Sequence, residues 1–99
     1  MHQNPANSNP LFRLIAWNIR AGGGRRAEHI AQALAARKAD AVILSEFRST
    51  SASQLIAQRL AEHGLDQQYA TTSEVPPGRN ALLIAARSPV QKVALQYKP

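Results

Sequence analysis

Four apolar residues in a row, Ala41-Val-Ile-Leu44, open on Asp40 and close on Ser45-Glu46. The run is too short for a typical helix and contains β-branched Val42 and Ile43. It therefore reads as a strand covered on both faces. Such strands sit centrally in a sheet, and a carboxylate at the C-terminal end emerges at the rim, where open α/β architectures place their chemistry. Glu46 is thus the first candidate site residue. The plainer alternative is a solvated glutamate at a strand end.

Upstream, Leu11 to Ile19 carries Leu14-Ile-Ala-Trp17 in succession and reads as a second buried strand with Asn18 at its C-terminal end. The glycines of Arg20-Ala-Gly-Gly-Gly-Arg25-Arg26 then permit a sharp turn or a close backbone approach to a ligand. Ile30 and Leu34, at i, i+4 spacing among Ala27, Ala31 and Ala35, predict a helix from about Arg26 to Lys38. Its thin alanine face suits close packing on a sheet.

Beyond the central run, Ser51 with Gln54 fits a capping box for a second helix over about Ala52 to His63. Ile56 and Leu60 face inward, and Gly64 is the expected stop. Right-handed crossovers of this length make the two strands parallel and put both helices on one side of the sheet. Asn18 and Glu46 then share one rim.

Gln68 to Thr72 reads as a short strand, and the prolines of Glu74-Val-Pro-Pro-Gly-Arg79 enforce a loop. Asn80 to Arg87 is a further apolar strand, and Val90 to Tyr97 alternates as a strand with one wet face. Met1 to Pro10 has no apolar periodicity and reads as a disordered tail. The expected class is α/β, a mixed sheet with two helices on one face.

The chain has 99 residues, the size of one small domain, and no cysteine, which excludes disulfides, thiolate metal sites and cysteine nucleophiles. His2, His29 and His63 share no metal-ligand spacing. A net charge of +6 favours polyanionic partners such as nucleic acid or phosphorylated ligands, although the basic residues are scattered and also suit a merely soluble surface. With no apolar run of membrane-spanning length and no signal-peptide pattern, a cytoplasmic location without a membrane partner is expected.

Two chemistries fit the rim. Glu46 with Asn18 suits Mg²⁺, which takes one or two carboxylates and completes its shell with water and substrate phosphate oxygens. Arg20 and Arg48, each two residues beyond a candidate site residue, add charge-assisted contacts to a phosphodiester. The rival is a dinucleotide cradle: Gly22-Gly-Gly24-Arg-Arg-Ala27 satisfies G-x-G-x-x-G/A, and Glu46 lies about twenty residues on. Against it, Asn18 and Arg20 intervene between the strand and the first glycine.

At these residues the sequence resembles the N-terminal part of the endonuclease/exonuclease/phosphatase superfamily. The resemblance rests on Leu14-Ile-Ala-Trp17-Asn18-Ile19, on Ala39-Asp40-Ala-Val-Ile-Leu-Ser45-Glu46, and on Asn80-Ala-Leu-Leu-Ile-Ala-Ala-Arg87-Ser88-Pro89, where Ala86 replaces the family's serine. It implies a four-layer α/β sandwich, of which this chain would supply one layer, and cleavage of phosphoester bonds with Mg²⁺ or Mn²⁺. By the same resemblance Glu46 binds the metal and Asn18 shapes the metal and phosphate site. The family's Asp-x-Asn motif and terminal Asp-His pair have no counterpart here. Residues 11–99 are therefore expected to be the N-terminal half of such a domain, truncated, with the segment carrying the catalytic base missing and the chain alone inactive.

Three readings remain open at this point. One is a fragment of a metal-dependent phosphoesterase, a nuclease by charge, completed by its missing C-terminal half. Another is a non-enzymatic half-fold that binds or self-associates through its uncovered sheet face. The third is a dinucleotide-binding domain.

Overall fold

The structure is a computed structural model and describes residues 11–90; the expected tail, Met1 to Pro10, and nearly all of the expected strand from Val90 to Tyr97 lie outside the described residues. Strands β1 (Leu14–Asn18), β2 (Ala41–Phe47), β3 (Gln67–Ala70) and β4 (Ala81–Ala86) form a sheet of order β1-β2-β4-β3. Helix α1 (Ala27–Ala36) joins the parallel pair β1 and β2, and α2 (Ser51–Glu62) follows β2. Strand β4 runs antiparallel to both of its neighbours, so the sheet is mixed. Among the described residues no helix is long and apolar enough to cross a membrane.

Both helices pack on the same face of the sheet. Ile30 and Leu34 of α1 and Ile56 and Leu60 of α2 join Val42, Leu44, Leu83 and Ala85 in one buried cluster. Each of these helical side chains is at most 2% exposed, which corresponds to about 1.5–3 kcal/mol of apolar transfer per residue. Arg59 of α2 also reaches Glu28 of α1 at 2.8 Å, and that carboxylate raises the arginine's affinity for its proton.

The second face is open among the described residues. Ala16, Ile43, Ile84 and Tyr69 align in one cross-strand row, with Leu14 at 54% and Leu82 at 42% exposure beside them. The expectation of fully buried strands is corrected accordingly: β1 is an edge strand whose residues are exposed or half-buried, and β2 buries its helix face more deeply than the other. A sheet with helices on one side only can cover no more than one face.

Two local expectations also change. The cap of α2 is Thr50, whose side chain accepts from the Ser53 N–H at 3.2 Å, so Ser51 is the first helical residue. Residues Thr71–Glu74 form a 3-10 turn, which ends β3 at Ala70. The Gly64 stop is as expected: at φ 97° it lets Gly64 and Leu65 donate to Ala61 and Leu60, closing the last turn in a Schellman arrangement.

Candidate functional site

The parallel register pairs Asn18 with Ser45 and brings the end of β1 beside the end of β2. Simple alternation along β2 would send Glu46 to the helix face, after Val42 and Leu44. A bulge between Ser45 and Phe47 prevents this: Phe47 pairs with Ala81 and takes the buried position at 4% exposure. Glu46, the extra residue, adopts φ 60° and turns its carboxylate to the rim. The strand therefore continues past Glu46 instead of stopping on it. The spacing of three between Leu44 and Phe47, where alternation requires two, is the sequence signal for the bulge.

The carboxylate is held from two sides. Asn18 Nδ2 donates to Oε2 at 2.7 Å, and the Ala21 N–H donates to Oε1 at 2.9 Å. The Asn18 oxygen Oδ1 in turn accepts the Arg20 N–H at 2.9 Å. The Ala21 bond, more than any other contact, lowers the Glu46 pKa below its ordinary value; Asn18 adds to the effect, as do the charges of Arg20 and Arg48. Asn18, Glu46 and the Arg20 backbone thus meet at one rim, and the Arg20 and Arg48 charges are felt there.

The turn that supplies the Ala21 N–H is left-handed throughout: Arg20, Ala21, Gly22, Gly23 and Gly24 all have φ between 50° and 90°. Arg20 and Ala21 adopt it at a steric cost that glycine avoids. Arg26 holds the turn from behind, donating to the Ile19 carbonyl at 2.8 Å and the Arg20 carbonyl at 3.2 Å. Gly22 N–H donates to the Glu46 carbonyl at 2.8 Å, and Gly23 N–H to the Arg20 carbonyl at 2.9 Å. A dinucleotide cradle would aim such N–H groups at a pyrophosphate. Here both are committed within the chain.

Arg20 and Arg48 differ in how they are held. Arg48 Nε donates to Asn80 Oδ1 at 2.8 Å, which fixes the guanidinium beside a surface cavity of about 300 Å³ lined by Arg48, Val75, Pro76, Gly78, Arg79 and Asn80. Arg20 is exposed and is held through its backbone, the N–H by Asn18 and the carbonyl by Gly23 and Arg26. Asn80 was not singled out by the sequence: its role follows from β4 lying next to β2, which no local pattern reveals.

The donor set fits one corner of a Mg²⁺ or Mn²⁺ site. Both Glu46 oxygens and Asn18 Oδ1 keep a lone pair beyond the bonds described, and one carboxylate with an amide oxygen is enough protein ligation for an ion that takes water and phosphate oxygens elsewhere. No group of three or more His, Cys, Asp or Glu side chains suited to a metal occurs among the described residues. Of the acidic residues after Glu46, Glu62 pairs with Arg59 and Glu74 accepts from the Tyr69 hydroxyl, so both are engaged elsewhere.

No protein-family model matches the chain, and no curated protein matches it. Among solved structures, it is similar to an endonuclease/exonuclease/phosphatase from Beutenbergia cavernae DSM 12333, with a TM-score of 0.63 and 23% identity over 79% of this chain. The likeness covers 26% of that protein, so this chain spans about a quarter of its length. What the two share is the fold: a mixed sheet with two helices on one face, as found in part of an endonuclease/exonuclease/phosphatase-like domain.

Proposed function

We propose that this chain is the metal-ligand part of a divalent-metal-dependent phosphoesterase that acts on phosphodiesters, with nucleic acid the favoured substrate class. The observation that carries the reading is the Glu46 carboxylate, held at the rim by Asn18 and the Ala21 N–H with two arginines beside it. Glu46 and the Asn18 oxygen would hold Mg²⁺ or Mn²⁺, and the ion would supply charge stabilisation at a phosphoryl oxygen. Asn18 orients the carboxylate and keeps it ionised. Arg48, steadied by Asn80, binds a phosphate oxygen, and Arg20 adds positive charge. The net charge of +6 supports a polyanionic substrate. The general base comes from outside these residues, so hydrolysis requires a complementing segment.

The test is a Mn²⁺ titration of the 99-residue chain and of Glu46→Gln, read by the electron paramagnetic resonance of free Mn²⁺. Saturable binding by the wild type that Glu46→Gln loses is the expected result. Equal binding by the two proteins defeats the assignment.

A second reading, self-association through the open sheet face, is favoured by the exposure of Leu14 and Leu82 beside the Ala16-Ile43-Ile84 row. The two readings are compatible. The committed N–H groups of Gly22 and Gly23 speak against the dinucleotide alternative.

A further inference from the structure

Ser53 is the buried polar side chain among the described residues, at 0% exposure. Its place on α2 is three residues before Ile56 and seven before Leu60, on the stripe that faces the core. An alanine would fill that position as well, so the hydroxyl needs its own explanation. A serine inside a helix commonly bonds back to its own helix. This one does not: Oγ donates to the Gly22 carbonyl at 2.8 Å and accepts the Arg48 N–H at 3.0 Å. Those two residues belong to the segments on either side of Glu46, the left-handed turn and the exit from β2.

The turn meets Glu46 with the N–H groups of Ala21 and Gly22, while the carbonyls along it and just before it have other partners. Arg26 takes the carbonyls of Ile19 and Arg20, and Ser53 takes that of Gly22. The fit at Gly22 is close, since a Cβ there would stand 3.1 Å from Ser53 Oγ. We infer that Ser53 is a positioning residue of the Glu46 site: through Gly22 and Arg48 it fixes the turn whose Ala21 and Gly22 N–H groups hold the carboxylate and backbone of Glu46. This rests on the phosphoesterase reading only in treating Glu46 as a ligand; the geometric role is independent of it.

Amide hydrogen exchange and Mn²⁺ titration of the full 99-residue chain test the inference on Ser53→Ala, with Thr50→Ala as a control that removes the helix cap without touching Ser53 Oγ. Ser53→Ala is expected to speed exchange at Ala21 and Gly22 while leaving the β4 amides, which lie between two neighbouring strands, at the wild-type rate. Its Mn²⁺ affinity should fall roughly tenfold, the low end of the loss seen when a partner behind a metal ligand is removed. Thr50→Ala should change exchange at Ala21 and Gly22 only in step with the β4 amides and should leave the Mn²⁺ affinity unchanged. If Ser53→Ala does not fold, Ser53→Cys, similar in size but a weaker donor, is read in the same way. Exchange at Ala21 and Gly22 that stays at the wild-type rate, or that rises only in step with β4, overturns the inference. Equal Mn²⁺ binding by wild type and Glu46→Gln overturns the phosphoesterase reading instead, and the exchange result is then judged alone.

Discussion

Asn18 and Glu46, 28 residues apart in sequence, meet at 2.7 Å across the ends of two parallel strands, amide nitrogen to carboxylate oxygen. Together with the Ala21 N–H, this bond keeps Glu46 ionised to lower pH than an ordinary glutamate. The folded pKa lies below the unfolded one, so the associated stabilisation is complete above the unfolded value and is lost as pH falls through the folded value. Carboxyl carbon NMR should show a Glu46 midpoint below the ordinary glutamate range. In Asn18→Ala it should move upward but not fully back, because the Ala21 bond remains. A midpoint that does not move on this substitution contradicts the role given to Asn18.

The glycine turn makes a second, graded expectation. Gly23 and Gly24 both have positive φ, at 90° and 52°, but their surroundings differ. A Cβ on Gly23 would stand 2.7 Å from Cδ1 of buried Ile56, whereas one on Gly24 meets nothing within 4 Å. Gly24→Ala should therefore cost only the left-handed penalty of about 1–2 kcal/mol. Gly23→Ala adds the displacement of Ile56 and should cost about 1–3 kcal/mol more, as overpacking does. Urea unfolding of the two variants settles the order, and equal midpoints contradict it.

How far the sequence revealed this arrangement depends on the range of each interaction. The helices were legible because Ile30 and Leu34, or Ile56 and Leu60, advertise a buried face at helical spacing. The parallel pairing followed from crossover length, and with it the meeting of Asn18 and Glu46 at one rim. The cap falls at Thr50, one residue before Ser51, because the two offer the same hydroxyl chemistry and only backbone angles distinguish them. The bulge at Glu46 is less legible, because the apolar run itself ends before Ser45 and only Phe47, one place out of alternation, signals that the strand continues. The Asn80 contact to Arg48 and the Ser53 bond to Gly22 join residues 32 and 31 apart, and nothing local encodes such contacts.

The helix cap gives a third test. Thr50 satisfies the Ser53 N–H, while Ser51 offers no cap hydrogen bond to α2. Thr50→Ala should lower stability by about 1 kcal/mol, the usual cost of losing a side-chain cap. Ser51→Ala should change it by no more than about 0.5 kcal/mol. Thermal unfolding followed by circular dichroism compares them directly, and the reverse order would return the cap to Ser51.

The two faces of the sheet supply the last test, since they assign opposite consequences to apolar substitutions. Phe47 is 4% exposed within the helix-side cluster, so Phe47→Ala removes a ring from a packed core and should cost about 3–5 kcal/mol. Leu82, 42% exposed on the other face, gives up little burial, and Leu82→Lys should shift folding stability by no more than about 0.5 kcal/mol. Its effect should appear in association instead. Leu14, Ala16, Ile43, Leu82 and Ile84 present contiguous apolar surface on a face that no described element covers, and a charge at Leu82 places a strongly hydrated ammonium in its midst. Sedimentation velocity over a concentration series should show the wild type associating and Leu82→Lys shifted towards monomer. A wild type that remains a well-ordered monomer at every concentration removes self-association from the functions this fold supports, while leaving the rim and its carboxylate untouched.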